Sequence, residues 1–201
     1  MNLGILFLAA AIVVPPYDRI TTGFIRGSAA SHLSASELAA KSAKVDVLVK
    51  PNGRAVRCAF VKGSGDKSAG SAICRTYRSS LPPSVPTLNG QPSYALLRIS
   101  ARYLRDARVD SESQLEPDAI LAVTYLPDGQ KYVDLAVLLA VDAGGRVIAC
   151  EPYSSKSNAA MAGAVCAAKE RLDVKGTTDE KGRPVAYVTR RHVQLVVSPP
   201  D

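Results

Sequence analysis

Two matching stretches decide the fold: V-D-V-L-V-K-P-N-G-R-A-V-R-C at residues 45–58 and V-L-L-A-V-D-A-G-G-R-V-I-A-C at residues 137–150. A shift of 92 residues superposes them without a gap, and the match continues downstream. The same shift places Cys74 on Cys166, Gly90 on Gly182, Pro92 on Pro184 and Arg98 on Arg190. Such a period is too long for a solenoid repeat, which spans roughly 20–50 residues, but it is the length of a small domain. The 201-residue chain therefore carries a tandem duplication.

Each copy has the residue pattern of a β-hairpin, a helix and a long final strand. Apolar residues alternate with other residues across 45–49, which predicts a strand. Turns are predicted at Asn52, Gly53, Gly144 and Gly145, because such pairs supply the positive φ angles of tight hairpins. A helical spacing of apolar residues follows, and strand-like alternation returns at 93–104 and 185–197. We predict an α+β fold of two tandem small domains, each a three-stranded antiparallel sheet with one packed helix.

These signals divide the chain into four segments. Residues 1–30 are predicted to be a signal peptide or N-terminal hydrophobic segment, 31–104 the first domain, 105–118 a charged linker and 119–201 the second domain. The apolar run at 3–14 is short for a bilayer span but suits the core of a signal peptide. An uncleaved membrane anchor and a buried N-terminal helix or strand are the alternatives.

The four cysteines form two pairs, each with a separation of 16 residues. Cys58 and Cys150 fall on the core side of the predicted return strands, whereas Cys74 and Cys166 fall in the helices that cover them. A strand and a helix packed across one layer can bring their Cα atoms within the roughly 4.4–6.8 Å that a disulfide needs. We expect the disulfides Cys58–Cys74 and Cys150–Cys166, and hence an exported protein. Redox sites favour C-x-x-C and zinc sites favour short Cys/His spacings, so we expect no metal and no cofactor.

Composition argues against several functional classes. The net charge of +7 permits attraction to nucleic acid or anionic lipid, but the basic residues are scattered, so we expect no nucleic-acid partner. Aromatic residues make up 5% of the chain and Trp is absent, which argues against wide stacking platforms. The motifs of common nucleophile, phosphate and zinc sites are missing from the sequence. We predict a protein that is not an enzyme, with a periplasmic enzyme or redox protein as the alternative.

In combination, the motifs resemble the C-terminal domain of TonB-like energy transducers. The matching segments of the first copy are P-N-G-R-A-V-R-C (51–58), K-G-S-G-D (62–66), S-A-I-C (71–74) and N-G-Q-P (89–92). Those of the second copy are A-G-G-R-V-I-A-C (143–150), S-S-K-S-N (154–158), A-V-C (164–166) and D-E-K-G-R-P-V (179–185). The resemblance implies that an extended segment, such as the TonB box of an outer-membrane receptor, adds as a strand to a sheet edge. The implied edge lies on the final strands, at Tyr94, Leu96, Arg98, Val188, Arg190 and His192.

The chain also departs from the pattern of such a transducer, which joins a membrane anchor to one domain through a long Pro-rich spacer. About 25 residues lie between the apolar run and the first predicted strand, and they reach at most roughly 80–90 Å when extended. We therefore predict an exported, periplasmic protein that binds an extended peptide or an envelope protein and contacts the membrane only through its N-terminal segment. An inner-membrane-anchored transducer is the alternative. If the two copies pack as an internal pseudo-dimer, that packing hides the edges which strand addition needs.

Overall fold

The strands of both repeats lie side by side in one sheet. The computed structural model describes residues 12–13, 42–61, 65, 67–80, 86–102, 117–153 and 159–198. In chain order the elements are β1 (Ile12–Val13), β2 (Ser42–Val49), β3 (Ala55–Phe60), α1 (Lys67–Ser80), β4 (Thr87–Leu88), β5 (Gln91–Pro92), β6 (Tyr94–Arg102), β7 (Ala119–Val123), β8 (Tyr132–Val141), β9 (Val147–Pro152), α2 (Ala159–Ala167), β10 (Thr177–Thr178), β11 (Pro184–Val185) and β12 (Tyr187–Val197). Short 3₁₀ turns lie at Pro127–Gly129 and Lys169–Arg171.

The first repeat forms a three-stranded antiparallel unit under one helix. β2 is its central strand, with β3 on one side and β6 on the other. The alternating valines of β2 point toward α1, where Val45 and Val47 pack in one core with Ile73. The disulfide Cys58–Cys74, with its Cα atoms 5.4 Å apart, joins β3 to α1 as predicted. Burial of the alternating face and this cross-link hold the unit together.

The second repeat has the same arrangement. β8 is central, β9 and β12 flank it in antiparallel pairing, and α2 covers one face. Val165 of α2 packs there with Val137 and Leu139 of β8. The predicted disulfide Cys150–Cys166 is also present, with a Cα separation of 5.3 Å.

The two hairpin turns use one glycine each rather than a pair of residues with positive φ. Gly53 has φ of +81° and Gly145 has φ of +87°, whereas Asn52 and Gly144 do not have positive φ. The N–H of each positive-φ glycine donates to the carbonyl three residues earlier, at 2.9 Å and 3.0 Å respectively. The adjoining ladders shift register by one residue. This is a type I turn followed by a left-handed glycine, which makes the loop one residue longer than the predicted tight turn.

The two repeats join through their final strands, in parallel. Tyr187 and Val188 of β12 pair with Tyr94 and Ala95 of β6, so the strand order is β3-β2-β6-β12-β8-β9. Equivalent residues of the repeats point to opposite faces, and α1 and α2 therefore cover opposite faces. The fold is α+β, as predicted, but the segments expected to form separate domains contribute to a single sheet.

Two short strands, β1 and β7, lie outside the matched repeats. β7 forms a seventh strand, which pairs in parallel with Val193–Val197 at the end of β12. β1 pairs with β4, and Ile12 is buried in the core under α1. The remainder of the predicted N-terminal hydrophobic segment and most of the predicted linker lie outside the described residues. Within the described ranges, neither helix has the length and apolar character needed to cross a bilayer.

Candidate functional site

The final strands, on which the peptide-binding edge was expected, are not outer strands of the sheet. Tyr94 of β6 pairs with Tyr187 of β12, and the carbonyl of Leu96 accepts a hydrogen bond from Thr189 Oγ1 at 2.6 Å. β12 pairs with β8 along most of its length, and its other side meets first β6 and then β7. At Tyr94 and Leu96 the expected edge therefore lies inside the sheet, because the parallel junction of the repeats occupies that side.

The remaining expected residues also have structural contacts in this interior. Val188 is fully buried, and the Arg190 guanidinium lies 4.2 Å from the ring centroid of Tyr153. Burial lowers the pKa of Arg190 to about 10. The His192 backbone exchanges two hydrogen bonds with Asp118: its N–H donates to Oδ2 at 3.0 Å and its carbonyl accepts from the Asp118 N–H at 2.8 Å. These contacts stabilise the junction and leave no strand-accepting edge at these residues.

A cluster of partly buried charges lies in the fork where β6 diverges from β12. Arg98 makes a bidentate ion pair with Asp46, at 2.8 and 2.9 Å, and approaches Asp118 at 3.5 Å. The hydrogen bonds to Asp46 raise the pKa of Arg98. Arg191 lies in the same cluster at 4% exposure, and its burial lowers its pKa. The Nε of Arg191 is buried and has no hydrogen-bond partner among the described residues. The cluster brings charged side chains of both repeats together with Asp118.

The outer strands of the sheet are β3 and β9, the return strands of the two hairpins. On β3, the Val61 N–H beyond the end of the strand donates to Lys44 of β2 at 2.9 Å. In an antiparallel ladder every second residue bonds to the partner strand. Counting back from Val61, the backbone N–H and C=O groups of Phe60 and Cys58 therefore point away from β2. Within the described residues these groups have no hydrogen-bond partner.

β9 offers less to an incoming strand. The Tyr153 N–H donates to Ala136 at 3.0 Å, so Pro152 and Cys150 occupy the outward-facing positions. Pro152 has no N–H to donate. Near the bulge of β9, Ile148 is 52% exposed beside a cavity of about 700 Å³, which residues 145–148 and 169–174 line. The two edges therefore differ: β3 presents two complete residues, and β9 presents one.

The side chains around the β3 edge differ between its two faces. On one face the Cys58–Cys74 disulfide and Phe60 lie against the core under α1. On the other face Arg57 and Ala59 are exposed. Arg57 donates from Nη2 to Thr177 Oγ1 and from Nη1 to Thr178 Oγ1, the latter at 3.3 Å. An added strand would therefore meet an apolar, cross-linked face and a cationic face.

No protein-family model, curated protein or solved structure matches this chain. Across the described ranges, no three His, Cys, Asp or Glu side chains cluster as metal ligands. The β3 edge was not among the expected binding positions, although the sequence contains the deciding signal. Pro152 stands 92 positions after Phe60, so the repeats differ at the residue that decides whether the edge has its donor.

Proposed function

We propose that this protein is an exported, non-enzymatic binding module that captures an extended peptide by strand addition at the outer edge of β3. The observation that carries the proposal is the pair of outward-facing residues Cys58 and Phe60, whose backbone groups have no partner among the described residues. An unpaired edge is a template for another strand. This edge lies in a sheet that a disulfide joins to its covering helix, so the sheet is ordered before the ligand arrives.

The backbone contacts would give general affinity, and the flanking side chains would give selectivity. Cys58 and Phe60 offer two donors and two acceptors, each hydrogen bond contributing about 0.5–1.5 kcal/mol net. These contributions must exceed the cost of ordering an extended peptide. The module would therefore bind with modest affinity, unless side-chain contacts to the two faces of the edge add to it.

The compartment follows from the cysteines. Both disulfides are compatible with an oxidising compartment, where such bonds persist. Strand addition is also the mode that the resemblance to TonB C-terminal domains implies. We accordingly place the module in the periplasm, with a segment of an envelope protein or an outer-membrane receptor as its ligand. The mode matches that family, but the edge lies on a hairpin strand instead of a final strand.

The test combines a displayed library of random decapeptides with two variants at one position. Phe60→Pro removes the outward donor, and Pro152 at the equivalent position indicates that proline is compatible with this place in an edge strand. Phe60→Ala also loses the ring but keeps the amide, which makes it the matched control. Peptides selected on the wild-type protein should bind Phe60→Pro about 5- to 10-fold more weakly than Phe60→Ala.

Amide hydrogen exchange gives a second measurement. The amides of Cys58 and Phe60 should exchange rapidly in the free protein and slowly in the complex, because the ligand then accepts their hydrogen bonds. Equal binding to the two Phe60 variants, or peptide binding that leaves both amides unprotected, would contradict strand addition at β3. A library that yields no binder to the wild-type protein would contradict the binding function itself.

A further inference from the structure

We infer that Arg57 makes the β3 edge selective for peptides that carry an aspartate or glutamate at the position facing it. This inference rests on the proposed function and specifies the class of ligand. Arg57 lies on β3 itself, one residue before Cys58, and its side chain is exposed on the face away from α1. It is therefore the cation nearest to the open backbone groups along the strand.

Arg57 is oriented by contacts that leave its charge uncompensated. The acceptors of its guanidinium are the neutral hydroxyls of Thr177 and Thr178 on β10. Among the described residues, no carboxylate lies within ion-pair distance of this side chain. Arg98, by contrast, makes a bidentate pair with Asp46. A guanidinium that already has a fixed orientation can bind a carboxylate with a smaller loss of conformational entropy.

The register of an added strand brings the right ligand side chain to this guanidinium. Ligand residues opposite Cys58 and Phe60 would form the backbone hydrogen bonds, and their side chains would lie on the α1 face. The residue opposite Arg57 would be a non-hydrogen-bonded neighbour, and side chains approach most closely across such pairs. Ala59 is small and exposed, so it leaves space beside that contact. A carboxylate opposite Arg57 can therefore reach the guanidinium.

The second repeat contributes to this site without offering an open edge equivalent to β3. Thr177 is buried and Thr178 is half-buried on β10, and both belong to the second copy of the duplication. The ion pair between Lys50 and Glu180 joins the same two regions. The β10–β11 hairpin of the second repeat thus positions Arg57, the proposed specificity-determining residue of the first repeat.

The experiment uses decapeptides selected from the displayed library on the wild-type protein. If the inference is right, Asp or Glu is enriched at one position of the aligned binders, and changing that residue to its amide weakens binding about 2- to 10-fold. Arg57→Gln should weaken the acidic peptide by the same factor and leave the amide peptide unchanged. Arg57→Glu should reverse the preference and favour a peptide with Lys at that position.

Two further variants keep the test specific. Arg54→Gln removes the same charge from an exposed turn residue three positions before Arg57. It should change the affinity for both peptides by less than about 2-fold, because solvent and salt screen an exposed charge that does not contact the peptide. Thr177→Val should weaken the acidic peptide only. Binders without an acidic preference, or an equal effect of Arg57→Gln on both peptides, would overturn the role of Arg57 while strand addition stands. The absence of any binder would overturn strand addition as well.

Discussion

Removal of one disulfide tests whether the two repeats unfold as one unit. The double substitution of Cys58 and Cys74 by alanine opens a loop closed by residues 16 apart. In the chain-entropy model, such a loop stabilises the folded state by about 3 kcal/mol. For a chain of this size, each kcal/mol corresponds to about 2–4 °C in Tm. We therefore expect Tm to fall by about 6–12 °C.

The shape of the transition is the decisive part of this measurement. Because β6 and β12 join the repeats in one sheet, both repeats should unfold in a single thermal transition. The double substitution should lower the Tm of that whole transition. Scanning calorimetry checks this by comparing calorimetric with van't Hoff enthalpy. Two transitions, of which only one moves, would refute the reasoning that the junction couples the repeats. Alanine at Cys150 and Cys166, which are also 16 residues apart, is the matched control and should have an effect of equal size.

Two further predictions concern the turns. Gly145→Ala should lower the free energy of unfolding by about 1–3 kcal/mol, because φ is +87° and a Cβ would lie 2.6 Å from the Gly176 nitrogen. Gly182 has φ of +76°, but a Cβ there would meet no atom within 4 Å, so Gly182→Ala should lower the free energy of unfolding by less. Chemical denaturation measures both values. The backbone N–H groups of Arg183 and Lys181, together with the Arg183 side chain, stabilise the Asp179 carboxylate and lower its pKa. The contribution of Asp179 to stability is therefore present above the ordinary aspartate pKa of about 3.9, and it is lost as pH falls through the lowered value. Stability measured across that pH range should therefore fall less steeply in Asp179→Asn, and an unchanged slope would contradict the assignment.

The local parts of the fold were predictable because the same residue pattern occurs in both repeats. Each hairpin, helix and final strand depends on contacts within one repeat, and the cysteine positions follow from the alternation around Cys58 and Cys150. The turns after β2 and β8 differ from the prediction, because the sequence does not distinguish a two-residue loop from a type I turn followed by one glycine. Asn89 and Gly90, by contrast, do form a turn with two positive φ angles.

The junction of the repeats was not predictable from periodicity. Only two residue pairs join β6 to β12, and their contacts span almost half of the chain. The consecutive polar residues Arg190, Arg191 and His192 give this part of β12 the pattern of a solvated segment, whereas Arg191 is buried in a charged cluster with Arg98 and Asp118. Charged residues are rarely fully buried, and Asp118, whose charge favours the cationic form of Arg191, comes from a segment that has no counterpart in the matched repeats. For this reason the open edge lies on β3 and not on the final strands, where it was predicted.

The opposite-face arrangement of α1 and α2 has a consequence for the origin of the chain. A rotation of half a turn about an axis along the strands exchanges the two repeats, and β6 and β12 keep their register to within one residue under it. Two separate copies of a single repeat could therefore assemble through the same strand as an isologous homodimer. A fused chain is free of exact symmetry: β7 pairs with β12, Asp118 bonds to His192 and approaches Arg98, and the described residues contain no symmetry equivalent of either. The two halves accordingly differ: β3 of the first has an open edge, and β10 of the second supports the Arg57 side chain beside that edge.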